Sequence, residues 1–218
     1  MAEDGIVTTF VVIRHGETEW NKIGRQQGHL DSPLTDLGRR QARAAASGLQ
    51  GFRFDAFYSS DLGRARETAR IISPVIGLGF ESEARLRERH LGVLQGLTMA
   101  EFAEKYPEEE ARFRTGGPDY RLPDGESVRD RFERNTAGLE ALARRHPGAL
   151  ILIVTHGGVL ASFMHKALGL TLGAPRSFSL LNAAVNVFSI ADTVRWRLET
   201  WGETGHLRAA GLASLDDF

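Results

Sequence analysis

Short apolar runs separated by polar turns recur along the chain and predict buried strands. Ile6 to Ile13 is apolar and β-branched, and Ala149 to Val154 is almost purely apolar, which is typical of a central strand covered on both faces. Weaker strand patterns follow at Phe54 to Tyr58, at residues 78 to 83 as a short edge strand, and at Val185 to Ile190 and Val194 to Thr200 as an antiparallel hairpin.

Apolar residues at helical spacing, with capping residues before them, predict helices between these strands. The expected helices are Thr35 to about Leu49, a helix carrying Arg64 to Ile72 behind caps at Ser59-Ser60-Asp61, Ser127 to about Pro147-Gly148, and Val159 to Leu168. The alternation of strands and helices predicts an α/β fold, a three-layer α/β/α arrangement with a mostly parallel central sheet.

The stretch from Leu86 to Gly125 interrupts this alternation. Short helices are expected to begin at Thr98 and Pro107, and Thr115-Gly116-Gly117-Pro118 must end the second one. We expect a single domain over residues 1–205 with a lid-like segment at about 95–125. Residues 206–218 are small and acidic enough to predict a loosely held C-terminal tail.

Composition narrows the class of protein. The chain is 42% hydrophobic and 25% charged, as in soluble globular proteins, and its net charge of −1 gives no general attraction to nucleic acid or membranes. No partner of either kind is expected, so any anion must bind locally. The absence of cysteine excludes thiolate catalysis and disulfides. An acidic start and a short first apolar run indicate neither a signal nor a membrane segment, which favours a cytoplasmic location.

Arg14-His15-Gly16-Glu17-Thr18 follows the first predicted strand directly, at the edge where open α/β sheets bind ligands. A second strand ends in Thr155-His156-Gly157-Gly158 and continues as a helix. The first motif resembles the signature of the histidine phosphatase superfamily, whose best known members are the cofactor-dependent phosphoglycerate mutases. Further blocks extend the resemblance over roughly residues 6 to 205, and it implies the fold predicted above.

The resemblance also implies roles for individual residues. His15 is expected to attack phosphorus and become phosphohistidine, which suits imidazole because its reference pKa is about 6.5. Arg14 and Arg64 match the phosphate-binding arginines, whose planar forks suit phosphate oxygens. His156 is expected to donate a hydrogen bond to the phosphoryl group as an imidazolium, and Gly157 beside it is assigned to substrate binding.

Glu88 takes the general-acid position in the block Arg85 to Thr98. It is expected to protonate the leaving oxygen and then to help deprotonate the attacking water. A glutamate between two arginines is also compatible with an exposed ion pair of little energetic worth. The aromatic residue that usually precedes the last glycine of this block is here Gln95, so both alternatives stay open.

Other residues are candidates by position. Asn21 and Gln27 match family positions that contact the phosphoryl group, while Thr18 either does the same or caps the short helix after the motif. Arg114 and Arg121, in the lid-like segment, are candidate ligands for a substrate carboxylate. Four helical arginines are assigned to solvated faces: Arg40, Arg43, Arg129 and Arg131.

The expected function is a metal-independent phosphomonoesterase that acts on a small phosphorylated metabolite, with or without a carboxylate. No cofactor or metal site is expected, because no pair of histidines lies one helical turn apart with neighbouring carboxylates. A phosphoglycerate mutase is the alternative, although mutases of this family carry a long Arg-, Tyr- and Pro-rich insertion where this chain has only Met99 to Asp124. A catalytically inactive binding module ranks third, and a homodimer is left open.

Overall fold

A six-stranded sheet forms the centre of the computed structural model, which describes residues 5–174, 176–192 and 194–213. The strands are β1 (Val7–Arg14), β2 (Ala56–Ser59), β3 (Glu81–Ser82), β4 (Leu150–Thr155), β5 (Val185–Ala191) and β6 (Arg195–Glu203). Their spatial order is β3-β2-β4-β1-β5-β6. The first four strands run parallel, whereas β5 and β6 form the antiparallel hairpin that the sequence predicts.

Helices cover both faces of the sheet. They are α1 (Glu19–Lys22), α2 (Asp36–Gly48), α3 (Gly63–Ile76), α4 (Met99–Lys105), α5 (Pro107–Thr115), α6 (Val128–Arg145), α7 (Gly157–Leu168) and α8 (Gly205–Ala209). Alternate residues of β1 face opposite layers, since Phe10 and Val12 pack with α6 and α7 while Val11 and Ile13 pack with α2 and α3. The predicted three-layer α/β/α fold is confirmed. Within the described chain, no helix has both the length and the hydropathy needed to span a bilayer.

The pairing of β1 with β4 positions the two histidine motifs. Arg14 lies opposite Thr155 in the parallel register, and the His15 amide donates to the Thr155 carbonyl at 2.9 Å. His15 and His156 therefore follow neighbouring strands at the same edge. Their ring centroids are 5.3 Å apart.

The start of α3 differs from the prediction. Its N-cap is Leu62, which offers no side-chain acceptor, and not one of the residues Ser59-Ser60-Asp61. The carboxylate of Asp31 accepts hydrogen bonds from the amides of Gly63 and Arg64 at 2.6 and 3.2 Å instead. A loop residue distant in sequence thus satisfies the helix terminus, which local capping patterns do not anticipate.

The segment predicted as a lid has a small apolar core of its own. Leu94, Phe102 and Leu122 are fully buried there, and partly buried Tyr106 and Phe113 pack against them. Helices α4 and α5 frame this cluster, with Thr98 capping α4 as expected. That the segment forms a lid stays a prediction.

The beginning of the predicted C-terminal tail is ordered. Helix α8 covers residues 205–209, and Leu207, only 1% exposed, packs against Ala44 of α2 and Ala183. Gln41 also donates to the carbonyl of Ala213 at 2.6 Å. The expectation of a loose tail from residue 206 is wrong for residues 206–213, because buried Leu207 and partly buried Leu212 anchor this segment to the rest of the fold. Residues 214–218 lie outside the described part of the chain.

Candidate active site

A cleft of about 570 Å³ opens at the carboxyl ends of β1 and β4. Its wall is cationic although the whole chain has a net charge of −1. Among the described residues that line it, Glu88 supplies a carboxylate and the cations are Arg14, Lys22, Arg25, Arg64, Arg89, Arg131 and Arg176. The attraction for anions is thus concentrated in one place.

His15 occupies the turn after β1 with 3% of its surface exposed. Its Nδ1 lies 2.8 Å from the Gly16 carbonyl oxygen, and since a carbonyl only accepts, Nδ1 carries the proton. Nε2 therefore keeps its lone pair. Burial first, and then the positive charges of Arg64 and Arg14, lower the pKa of His15 well below its usual value, so the ring is neutral at pH 7.

His156 is fully buried and differently held. Its Nε2 lies 2.8 Å from the Ser60 hydroxyl, and its buried Nδ1 has no hydrogen-bond partner among the described residues. Burial lowers the pKa of His156 well below its usual value, and Arg64 and His15 add to the effect. The expected imidazolium therefore does not form in the protein alone, because burial and a nearby guanidinium both oppose the added charge.

Arg64 is held from several directions. It is 2% exposed, its Nη1 donates to the Leu30 carbonyl and to Asp31, and its Nη2 donates to the Gly28 carbonyl at 2.8 Å. Burial lowers its pKa, although Asp31 works in the other direction. Arg14 is likewise buried and donates to the carbonyl of Leu180. Asp31 is a supporting residue that sequence reasoning missed, since only the fold brings it to α3.

Glu88 faces the cleft with both carboxylate oxygens positioned by backbone amides. Oε1 accepts from the Arg89 amide at 2.7 Å, and Oε2 accepts from the Gly158 amide at 2.8 Å. Its own carbonyl accepts from His29 and from Arg134. The alternative of an exposed ion pair is wrong, because Glu88 forms no ion pair with the described residues and is held at the N-terminus of α7.

Comparisons with known proteins identify the family of the chain. A family model described as histidine phosphatase superfamily (branch 1) matches residues 10–204. The chain belongs to this superfamily. Among solved structures, the chain is similar to Bacillus stearothermophilus YhfR, with a TM-score of 0.84 and 33% identity, covering 92% of this chain and 99% of that one.

Two proteins of Arabidopsis thaliana are also similar to it. Identity with phosphoglycerate mutase-like protein 4 is 40% over 214 residues, covering 97% of this chain and 92% of the relative. Identity with a metal-independent phosphoserine phosphatase is 41% over 209 residues, covering 94% of this chain and 86% of the relative. The family expected from the sequence motifs is confirmed.

Three further residues that the sequence predicts for the site, Asn21, Gln27 and Gly157, line the cleft. Thr18 is fully buried and its hydroxyl caps α1 by accepting from the Asn21 amide, which favours the capping alternative. Gln27 donates to the same hydroxyl at 2.9 Å, while its buried Oε1 has no partner in the described chain. Thr18 thus supports the neighbouring amides without lining the cleft.

The structure corrects the placement of Arg114 and Arg121. Arg114 pairs with Glu110 one helical turn earlier, and Arg121 pairs with Asp130 at 2.8 Å. Both side chains are more than 60% exposed, at 67% and 63%, and neither lines the cleft. Position within the lid-like segment does not bring them to the site, because α5 directs Arg114 along its own outer surface.

Two other arginines occupy the cleft wall instead. Arg89 donates to the carbonyls of Glu126 and Tyr120 and lies 5.7 Å from the Phe113 ring centroid; burial lowers its pKa to about 10. Arg131, assigned to a solvated face, lines the cleft, so that prediction is wrong. The sequence contains a signal that Arg131 does not lie on a solvated face, since it shares one stripe of the helix with buried Asn135 and Leu142.

The donor groups of the described residues do not form a metal-ligand set. Among residues 5–174, 176–192 and 194–213, no three His, Cys, Asp or Glu side chains lie together as a ligand set would require. The expectation that no metal is used stays a prediction.

Proposed function

We propose that this histidine phosphatase is a phosphomonoesterase that hydrolyses a small phosphorylated metabolite through a phosphohistidine on His15, without a metal ion. One observation carries the proposal: the cationic cleft combines a neutral His15, whose Nε2 keeps its lone pair, with the positioned carboxylate of Glu88. The similarity to a metal-independent phosphoserine phosphatase supports hydrolysis as the reaction.

In the first step, Nε2 of His15 forms a bond to phosphorus while the ester P–O bond breaks. Arg14 and Arg64 neutralise negative charge on the phosphoryl oxygens, a task that a metal ion performs in many other phosphoryl-transfer enzymes. Glu88 gives its proton to the departing oxygen, so the alcohol leaves uncharged. The products are an alcohol and a phosphorylated His15.

His156 assists as a neutral donor. The Ser60 hydroxyl oxygen accepts from the Leu62 amide at 3.3 Å, which leaves its proton available to Nε2 of His156. Nδ1 then carries the ring proton, and because it has no partner among the described groups, a phosphoryl oxygen would satisfy it. The hydrogen bond would strengthen as negative charge develops in the transition state.

In the second step, water takes the place of the alcohol beside Glu88. The carboxylate accepts a proton from this water as its oxygen attacks phosphorus and the N–P bond breaks. Inorganic phosphate departs, His15 recovers its Nε2 lone pair, and Glu88 is protonated for the next cycle. Two displacements at phosphorus thus return every group to its starting state.

Phosphate release from a panel of phosphomonoesters, with a metal chelator present, tests the proposal. The wild type is expected to release phosphate, and acid-labile phosphoprotein should accumulate when turnover is stopped by denaturation at high pH. His15→Ala should abolish both signals. His146→Ala is the matched control, because His146 lies near the amino end of β4, away from the cleft, and contacts Tyr58.

Activity that disappears on chelation, or steady hydrolysis by His15→Ala, would contradict the proposal. Failure to hydrolyse any ester, combined with phosphoryl transfer in an assay primed with bisphosphoglycerate, would identify a mutase instead. If neither phosphate release nor phosphoryl transfer is detected, a catalytically inactive binding module is favoured.

A further inference from the structure

Arg131 reaches the cleft from α6 and lies beside the carboxylate of Glu88. Nη1 of Arg131 and Oε1 of Glu88 lie 2.7 and 2.0 Å from the point where a Cβ on Gly158 would stand. Because residue 158 is glycine, the two charged groups share this space at the N-terminus of α7. Any side chain at position 158 would displace one of them.

The terminal nitrogens of Arg131 are directed to no protein acceptor. Nε donates to the Ser162 hydroxyl at 3.2 Å, and Nη1 and Nη2 form no hydrogen bond or ion pair with the described residues. Arg64 and Arg25, by contrast, pair with Asp31 and Glu101. Burial lowers the pKa of Arg131, and the nearby charge of Glu88 works in the other direction. The two groups nevertheless form no direct ion pair or hydrogen bond, so the terminal nitrogens of this partly buried guanidinium can donate to a bound anion.

The location of Arg131 beside Glu88 indicates which part of a substrate Arg131 would contact. If Glu88 protonates the leaving oxygen, that oxygen must come within about 3 Å of the carboxyl group. Atoms one or two bonds beyond the oxygen then lie on the Glu88 side of the cleft, where Arg131 stands. A planar guanidinium matches a carboxylate with two parallel hydrogen bonds.

We propose that Arg131 binds a carboxylate on the alcohol portion of the substrate and so selects phosphorylated hydroxy acids over esters that lack a carboxylate. This inference rests on the proposed phosphatase function and makes it specific. It assigns to Arg131 the role that position alone suggested for Arg114 and Arg121. Arg131 acts here as a specificity residue that contacts the substrate, whereas Arg89 uses its donors on backbone carbonyls.

Two pairs of substrates that differ in the carboxylate test the proposal: 3-phosphoglycerate against glycerol 3-phosphate, and phosphoserine against phosphoethanolamine. We expect the wild type to prefer the carboxylated member of each pair. Arg131→Gln should reduce the ratio of the two kcat/KM values about 10- to 100-fold, mainly through a higher KM, which corresponds to loss of a charged hydrogen-bonded pair. Arg131→Lys should recover part of the ratio.

Arg144→Gln is the matched control, since Arg144 is an exposed arginine in the last turn of the same helix and should leave the ratio unchanged. Calorimetric titration of 3-phosphoglycerate and of inorganic phosphate into His15→Ala, which does not turn the ester over, adds a binding readout: Arg131→Gln in that background should weaken the first and spare the second. Equal losses on both members of a pair would overturn the inference and indicate that Arg131 positions Glu88. An unchanged ratio in a folded variant would also overturn it. Absence of phosphate release by the wild type is a distinct result, which rejects the phosphatase function itself.

Discussion

The turns at the ends of the neighbouring strands β1 and β4, here called the His-Gly corners, share one pattern, a buried strand followed by His-Gly. Their histidines are nevertheless held by opposite ring nitrogens. At the end of β1, Nδ1 of His15 donates to the Gly16 carbonyl and leaves Nε2 with its lone pair. At the end of β4, Nε2 of His156 contacts Ser60, and Nδ1 is the unpartnered atom. In the proposed mechanism, the same dipeptide therefore supplies a nucleophile at one corner and a hydrogen-bond donor at the other.

The comparison shows that the two histidines differ in their hydrogen bonds and not in their charge. Hydrogen bonding is therefore what separates the two proposed roles. Burial is the largest cause of the lowered pKa at both rings, and Arg64 contributes at both. Each ring is thus neutral at pH 7. The tautomer, set by which nitrogen the surroundings engage, decides which chemistry remains available.

The largest effect is expected from His15→Ala. Loss of the proposed nucleophile should reduce kcat by about 10⁴-fold or more and eliminate the phosphoenzyme, because the proposed covalent intermediate forms on Nε2 of His15. Stopped-time phosphate release with a carboxylated ester measures the rate. If His15→Ala retains more than a few per cent of the activity, His15 is not the nucleophile and the proposed division of roles between the two histidines is wrong.

His156→Ala should cause a smaller loss, about 10²- to 10³-fold in kcat, which is the range for removal of one donor to developing charge. Phosphoenzyme should still form, more slowly, in a single-turnover experiment. Ser60→Ala should give a milder loss, because Nε2 would then lose the partner that orients the ring. Complete absence of phosphoenzyme in His156→Ala would contradict the proposed roles, in which His15 is the nucleophile and His156 only a hydrogen-bond donor.

The glycines of the two corners should respond differently to alanine. A Cβ on Gly16 would stand 2.4 Å from the Gly38 carbonyl oxygen, a backbone atom that cannot move aside cheaply. Gly16→Ala should therefore lower the free energy of unfolding by about 1–3 kcal/mol or more. A Cβ on Gly157 would meet its nearest atom, Leu180 Cδ1, at 3.5 Å, so Gly157→Ala should change stability by less than about 0.5 kcal/mol. Urea unfolding of both variants checks the contrast, and equal losses would contradict it.

The corners should behave alike towards acid. A histidine whose pKa is lowered in the folded state resists protonation there, while the unfolded chain takes up protons below about pH 6.5. The free energy of unfolding should fall as pH drops from 7 to 5, by up to about 1.4 kcal/mol per pH unit for each such ring. His15→Asn and His156→Asn should each reduce this slope in urea unfolding followed across that range. An unaltered slope in either variant would show that its ring is not held neutral.

Much of the fold follows from local sequence signals. The apolar runs around β1 and β4 identify buried strands, and Thr98 and Ser127 identify helix starts, because strand periodicity and capping depend on neighbours in the chain. Leu207 was missed because it and Leu212, five residues apart, match neither the strand period nor the helix period. Its burial depends on a hollow formed by α2 and Ala183.

The sequence by itself determined the family, the two His-Gly corners, and the presence of Arg14, Arg64 and Glu88, because these lie in contiguous motifs next to predictable strands and helices. Only the tertiary structure decided the tautomer of His15, the lowered pKa of both histidines, the support of α3 by Asp31, and the exchange of Arg114 for Arg131 in the cleft wall. The physical reason is that burial and hydrogen-bond partners come from residues distant along the chain. No local pattern carries that information until the layers pack together.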